Sequence, residues 1–516
     1  MDQVVLRQER KTVFFRVDSS KYIGTGHVYR CLALAHQLRM RHGMNVEFMT
    51  VAWDGNIASL IEKRGFKVHR LKAWTKDISS FDPSLYNWRE DALQCENVLR
   101  ALNSRPMWMV VDAYFLDHHW EEAMRPHVDE ILVIDDLANR RHECSCILDQ
   151  NYPEDPAPYR GLVPDEALIL KGPKYALLTS GFEHESWEDR ALHERKKSSH
   201  VHVLIFMGGT DPKRATIKIL RGLKDYFRKT GALFYVLAPR SNPDFDAIQR
   251  FCEDLDTVIH VDYVEDMPSF LKKMDLVLGA GGVSTYERMA LGIPQVLLSV
   301  AENQYSHTRA LARDGFIVFL GDVDTVKHQS IKGALDLLLS NQPFMDFMAR
   351  RSRALVDGLG ARRVSDLMAA FGLEVREATL KDMWLIFEWR NSEPARLASF
   401  NTSVISKSDH EAWFKRVLKA RDRKIYMGVL GEQSIGMVRF DINSQGEAMV
   451  SILLSPEFMG KGLGWMLLNK AVEAFKIECP EVDTLRALVK KENIASKRTF
   501  EKAGFSQAYT SFIKRL

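Results

Sequence analysis

The residues best suited to chemistry lie in Gly24-Thr25-Gly26-His27. They follow the apolar run 12–17 and the connector Asp18-Ser19-Ser20-Lys21-Tyr22. A helical pattern carried by Val28, Cys31, Leu32, Leu34, Ala35 and Leu38 comes next. Strand, glycine turn and helix aim backbone N–H groups at an anion. A histidine at the helix start sits at the positive end of the dipole, where a neutral imidazole able to accept a proton is expected. The motif can therefore serve as a phosphate cradle or as a general base.

Two more glycine loops follow apolar runs. Met207-Gly208-Gly209-Thr210-Asp211 ends the run 201–206, and Gly279-Ala280-Gly281-Gly282-Val283-Ser284-Thr285 ends 275–278 and enters a helix. Small residues there let the backbone approach a diphosphate closely, although tight turns need glycine too. Glu287 has two readings: a ligand for ribose hydroxyls, or the acid of a capping box with Ser284. Asp112, Asp135 and Asp136 close predicted strands, on the edge where open α/β sheets bind ligands, or else they cap helices. A fourth loop, Gly460-Lys461-Gly462-Leu463-Gly464, follows a strand and Ser455-Pro456 and opens a helix over 465–477.

These motifs need a frame. Strands are expected at 12–17, 45–51, 108–112, 131–134, 146–149 and 168–170, then at 201–206, 233–237, 258–261, 276–278, 295–299 and 317–319. A charged, helical-looking connector at 183–197 separates the two sets. Two α/β halves of similar size imply a cleft between them. A third unit opens near Leu373, with strands at 373–377, 424–430, 434–441, 446–454 and 484–489 and helices at 380–390, 408–420, 465–477 and 496–503. The boundaries are set at 1–185, 186–370 and 371–516.

A chain of 516 residues accommodates two to four domains, and 46% hydrophobic with 27% charged residues is a globular composition. No apolar run reaches membrane-spanning length, and residues 1–11 lack a signal-peptide core, so the cytoplasm is the expected location and no membrane partner is expected. Residues 1–370 carry 48 Lys/Arg and 50 Asp/Glu, while 371–516 carry 23 and 18. That basic excess suits a small polyanion and is too weak to argue for nucleic acid. The six cysteines lack zinc-site spacing, Cys144 and Cys146 read as buried small hydrophobes, and neither metal nor disulfide is expected.

Asp18-Ser19-Ser20, Ile23–His27, Asp112-Ala113-Tyr114, Asp135-Asp136, Met207–Asp211 and Asn303-Gln304 together resemble the UDP-sugar hydrolases of the pseudaminic acid pathway, over about 12–365. The Gly-Gly-Val-Ser-Thr-x-Glu stretch also resembles the nucleotide site of two-Rossmann (GT-B) glycosyltransferases. The resemblance implies metal-independent, inverting hydrolysis with His27 as catalytic residue and Asp18, Gly24, Gly26, Tyr114, Gly209, Thr210, Gly281, Gly282, Ser284, Glu287, Asn303 and Gln304 around the substrate. The Gly460–Gly464 loop, Asn493-Ile494-Ala495-Ser496 and Phe500–Phe505 resemble the GNAT N-acetyltransferases. Acetyl-CoA is then the cosubstrate, held by Gly460, Lys461, Gly462, Gly464, Asn493 and Ser496. Phe500 stands where that family has a proton-donating tyrosine, and Met459 replaces its usual Arg or Gln. Glu447 or Ser451 could position a water or the amine, and Trp389 and Trp413 read as core.

The expected fold is thus α/β, two GT-B-like Rossmann domains with a cleft, plus an α+β GNAT domain. The leading expectation is a bifunctional enzyme acting on UDP-amino-sugars. A glycosyltransferase with an accessory acetyltransferase, and a nucleotide-sugar scaffold with a protein acetylator, are the alternatives.

Overall fold

The computed structural model describes residues 11–74, 84, 86–102, 105–153, 157–183, 200–209, 211, 213–301, 304–430, 433–460 and 463–506. The chain divides into two compact units, Met1–Val364 and Ser365–Leu516. The connector expected over 183–197 lies outside the described residues except for Glu183, which is extended.

The first unit holds two parallel sheets. One contains β1 (Thr12–Val17), β2 (Asn45–Val51), β3 (Lys67–Leu71), β4 (Trp108–Asp112), β5 (Glu130–Ile134), β6 (Cys146–Asp149) and β7 (Leu168–Lys171), in the order β3-β2-β1-β4-β5-β6-β7. The other contains β8 (His202–Phe206), β9 (Leu233–Leu237), β10 (Val258–Val261), β11 (Leu276–Ala280), β12 (Gln295–Ser299) and β13 (Val318–Asp322), in the order β10-β9-β8-β11-β12-β13. β1, β4 and β11 are buried along almost their whole length, as parallel strands covered on both faces must be. In each sheet the order of strand addition reverses once, between β1 and β4 and between β8 and β11. Such switch points open a crevice at the strand C-termini.

Sequence periodicity does not reveal β3. It carries Lys67, His69 and Arg70 at the sheet edge, and its two apolar residues, Val68 and Leu71, are three apart and give no alternation. All six cysteines are free and buried. No helix among the described residues is long and apolar enough to cross a membrane.

The second unit is a mixed sheet of β14 (Leu373–Glu377), β15 (Arg423–Leu430), β16 (Gln433–Ile442), β17 (Glu447–Leu454) and β18 (Thr484–Arg486). The first four strands are antiparallel neighbours, and β18 runs parallel to β17 over only three residue pairs. β18 is shorter than the expected 484–489, so Val450–Leu454 has no β18 residue opposite it. The helix Gly464–Glu478 lays Leu467, Leu468, Ala471 and Phe475 on this sheet, with Phe475 stacked on Phe440 at 4.1 Å. Gly428 permits the approach, because a Cβ there would come 2.4 Å from Leu467.

Candidate active sites

His27 is the second residue of the helix Gly26–His42, which follows β1, and Asp112 closes β4. The first switch point therefore brings together two residues 85 positions apart. His27 Nδ1 lies 2.6 Å from Asp112 Oδ1. Arg30, one turn further along the helix, donates to both oxygens of Asp112 through Nε and Nη2, each at 2.6 Å. Burial alone would raise the Asp112 carboxyl, but Arg30 and His27 outweigh it and hold it well below the ordinary carboxylate range. Facing an ionised carboxylate, Nδ1 carries the proton and Nε2 is left to accept one. The sequence argument rests on the helix dipole; this nearer charge decides which nitrogen is available.

Tyr114 sets its ring edge-on against His27 at 4.7 Å and donates to Asp136 at 2.5 Å. Asp135 is engaged elsewhere, with Arg140 and with the N–H groups of Leu137 and Ala138. None of Asp112, Asp135 and Asp136 caps a described helix.

The turn that leads into Gly24–His27 uses several N–H groups internally. The Gly24 N–H donates to the Ser20 carbonyl at 2.9 Å, and those of Tyr22 and Ile23 to Ser20 Oγ at 3.1 and 3.0 Å. Gly24 has φ +80 and closes this turn, while Gly26 begins the helix with open space around its Cα. Asp18 departs from its expected role. Its carboxylate is buried, paired with Arg16 at 2.6 Å, and accepts the Val51 N–H at 2.7 Å, so it braces β1 and β2.

At the second switch point, Gly208 and Gly209 face open space, but Asp211 takes the helix start that follows. Its carboxylate accepts the N–H groups of Ala215 and Thr216, both at 2.8 Å. Thr210 and Asn303 lie outside the described residues. The loop after β11 is different. Gly281 leaves no room for a side chain, since a Cβ would lie 2.5 Å from Thr308 Oγ1. Gly282 has φ +147 and caps the helix Val283–Ala290, its N–H meeting Thr285 Oγ1 at 3.2 Å. The capping box expected from Ser284 and Glu287 does not form, because the helix starts two residues earlier, with Gly282 as its cap, and Thr285 takes the partner role.

Ser284 instead accepts from Arg288. Gln304 caps the next helix, and its Oε1 accepts the Val300 N–H at 3.2 Å. Glu287 bonds to nothing described, and burial pushes its carboxyl up to about 7. Tyr29 on the His27 helix lies near enough to Glu287 for that carboxylate to raise the tyrosine hydroxyl, so both halves border one region. Sequence reasoning missed Arg30 and Arg288, although an arginine three residues after His27 was there to be noticed.

In the second unit, Gly460 has φ +76 and an open side-chain position, while Lys461 and Gly462 lie outside the described residues. Gly464 opens its helix and lets Thr499 approach, since a Cβ there would lie 3.1 Å from the Thr499 methyl. Asn493 Oδ1 accepts the Ser496 N–H at 3.0 Å, so this pair caps the helix Ile494–Lys502. Phe500 is buried against Phe505 and has no proton to give. Glu447 is paired with Arg486 at 2.7 Å and held below its ordinary range by that bond, which makes it a poor base. Trp389 is core.

Arg390 and Arg396 are held by backbone carbonyls, Arg390 at Asn401 and Arg396 at Asn391 and Thr402. Burial, Arg396 and Arg439 push the Arg390 guanidinium down. This corner suits an anion and repels a polycation. A separate surface cluster, Asp117, His118 and His119, brings metal-ligand atom types within 4.8 Å and shares no residue with either site.

Comparison with known proteins supports both halves of this description. Residues 203–358 match the glycosyltransferase family 28 C-terminal domain, and residues 373–506 the acetyltransferase (GNAT) domain. The chain is 25% identical over 308 residues to the UDP-2,4-diacetamido-2,4,6-trideoxy-beta-L-altropyranose hydrolase of Campylobacter jejuni, covering 59% of this chain and 98% of that protein. It is 25% identical over 130 residues to acetyltransferase PseH of the same organism, covering 25% and 80%. Spore coat polysaccharide biosynthesis protein SpsG of Bacillus subtilis is 28% identical over 201 residues, 39% of this chain and 58% of SpsG. The crystal structure of Acinetobacter baumannii MurG aligns with a TM-score of 0.50 at 14% identity, over 70% of this chain and 99% of that one, a likeness of fold. The chain thus joins GT-B-like Rossmann domains to a GNAT domain, and it is an enzyme with homologues among hydrolases and acetyltransferases.

Proposed function

We propose that this chain is a bifunctional enzyme of pseudaminic acid biosynthesis, organised as domains 1–185, 186–370 and 371–516. The last domain transfers acetyl from acetyl-CoA to the 4-amino group of UDP-4-amino-4,6-dideoxy-N-acetyl-β-L-altrosamine. The first two hydrolyse the product, UDP-2,4-diacetamido-2,4,6-trideoxy-β-L-altropyranose, to free sugar and UDP. The observation that carries the hydrolase reading is the His27–Asp112–Arg30 constellation at one switch point, with the Gly279–Gly282 loop at the other, inside one compact unit.

In this mechanism a water on the face opposite the leaving group attacks the anomeric carbon. Its proton passes to His27 Nε2, the bond from anomeric carbon to phosphate oxygen breaks, and configuration inverts. Asp112 holds the imidazole and stabilises the imidazolium that forms. UDP departs as a stabilised anion, so its charge is met by the helix start at Val283 and no metal is invoked. Tyr114 and Asn303 would border the sugar, and Glu287 the ribose.

In the acetyltransferase the neutral amine attacks the thioester carbonyl, the carbon–sulfur bond breaks, the thiolate leaves and the nitrogen gives up a proton to water. Backbone N–H groups of the 460–464 loop would hold the CoA pyrophosphate. The Arg390 and Arg396 corner supports a phosphate-bearing acceptor over a polyamine. With Phe500 in place, the departing thiolate is protonated by solvent. Both substrates belong to the cytoplasm.

The test incubates the whole chain with acetyl-CoA and the UDP-amino-sugar, following acetylated intermediate, free sugar and UDP together. All three should appear, the acetylated intermediate first. UDP release only on addition of a sugar acceptor would favour a glycosyltransferase, and acetylation of protein alone would favour a protein acetylator.

A further inference from the structure

Arg288 is an unusual charge to find in the second Rossmann half. It is 1% exposed. Nε donates to the Ser284 carbonyl and Nη2 to the Ala280 carbonyl, both at 2.9 Å. Nη2 also reaches the hydroxyls of Ser284 and Thr285 at 3.2 and 3.3 Å. None of these acceptors is ionised. Nη1 is buried with no hydrogen-bond partner. The acid that acts on it is its neighbour Glu287, which forms no ion pair with it among the described interactions.

The guanidinium lies directly under the glycine loop. A Cβ on Gly279 would sit 2.4 Å from Arg288 Nη1 and 2.9 Å from the Phe206 carbonyl. Gly279 is therefore glycine because Arg288 fills its side-chain space. The three glycines of the motif have three separate reasons: room for Arg288, room for Thr308, and the positive φ of Gly282.

Hydrogen bonding to the loop explains Nε and Nη2, and a neutral amide side chain would serve that purpose with less desolvation. It explains neither Nη1 nor a buried charge that forms no ion pair among the described interactions, which is costly in a protein interior. An anion arriving at the loop and at the first-turn N–H groups of Val283 and Ser284 would compensate that charge.

We propose that Arg288 is a positioning residue for a phosphate-bearing ligand, its buried unpaired guanidinium holding the Gly279–Ser284 loop in shape and supplying the positive potential that a diphosphate compensates. The proposal rests on the nucleotide-sugar reading for the identity of that ligand. It acts through the loop, since Nη1 itself is covered.

The test titrates UDP, uridine and inorganic pyrophosphate into the full-length chain and its Arg288→Gln and Arg288→Lys variants, at low and high salt. Arg288→Gln should weaken UDP and pyrophosphate about tenfold, leave uridine unchanged and flatten the salt dependence. Arg288→Lys, which keeps the charge, should stay within about threefold of the parent for all three ligands. Unchanged UDP binding in Arg288→Gln, or UDP and uridine weakened in equal proportion, would overturn the proposal in favour of a purely structural role. If circular dichroism shows Arg288→Gln unfolded, a tenfold loss of UDP in a folded Arg288→Lys would overturn it equally. If the parent binds pyrophosphate but neither UDP nor uridine, the nucleotide reading fails, while the pyrophosphate series still decides the role of Arg288.

Discussion

Asp112 accepts two N–H groups from Arg30 and one from His27 Nδ1 while almost wholly removed from solvent. Asp112→Asn keeps the shape but turns an N–H₂ group toward one of these donors, so the imidazole no longer presents an unprotonated Nε2. UDP release should fall about 10²–10⁴-fold while acetyl transfer is unchanged, read in one assay of both products. The sign of the stability effect follows from the depressed carboxyl. Its contribution is complete above the ordinary carboxylate range near pH 4 and is lost as pH falls toward its lower value in the fold. Asp149 behaves oppositely. Burial, with Asp136 and Asp135 nearby, raises its carboxyl to about 7, so its contribution is complete only below the ordinary carboxylate range near pH 4 and is lost progressively as pH rises to about 7. Asp149→Asn should therefore be more stable than the parent at pH 8, by on the order of 2 kcal/mol, with the difference shrinking as pH falls and closing near pH 4, measured by urea unfolding.

The helices and strands place these residues through contacts made far from the chemistry. Arg16 on β1 is buried between Asp18 and Asp91, and Asp91 also collects Trp120 Nε1 and the Tyr86 hydroxyl, each at 2.8 Å. Asp91→Ala leaves a buried guanidinium short of its partner and should cost about 3–5 kcal/mol in chemical denaturation, lowering UDP release through β1. In the second unit, Gly428→Val would force the Gly464–Glu478 helix off its sheet. A loss of about 1–3 kcal/mol and of acetyl transfer is expected, with UDP release retained. Most strands were legible because each is a short apolar run between turn residues. The exceptions have physical causes: β3 is a charged edge strand, β18 loses its partner after Arg486, and the box at Ser284 yields to a helix that begins at Val283.

For the whole chain, His27→Ala separates the two chemistries. Given acetyl-CoA and the UDP-amino-sugar, that variant should accumulate the diacetylated UDP-sugar and release no UDP above background, observable by chromatography of the mixture. Acetylation lost along with hydrolysis would contradict two independent sites. By itself the sequence determined most of the segments that form strands, where the glycine loops fall and that His27 opens a helix, because turn chemistry, helix starts and apolar periodicity are local properties. It could not show that Asp112 and Arg30 orient His27, that Asp18 faces inward, that the turn after Ser20 consumes its own N–H groups, or that Gly279 makes room for Arg288. Those depend on which strand ends a parallel sheet brings together, and that is settled by strand order and packing across tens of residues of chain.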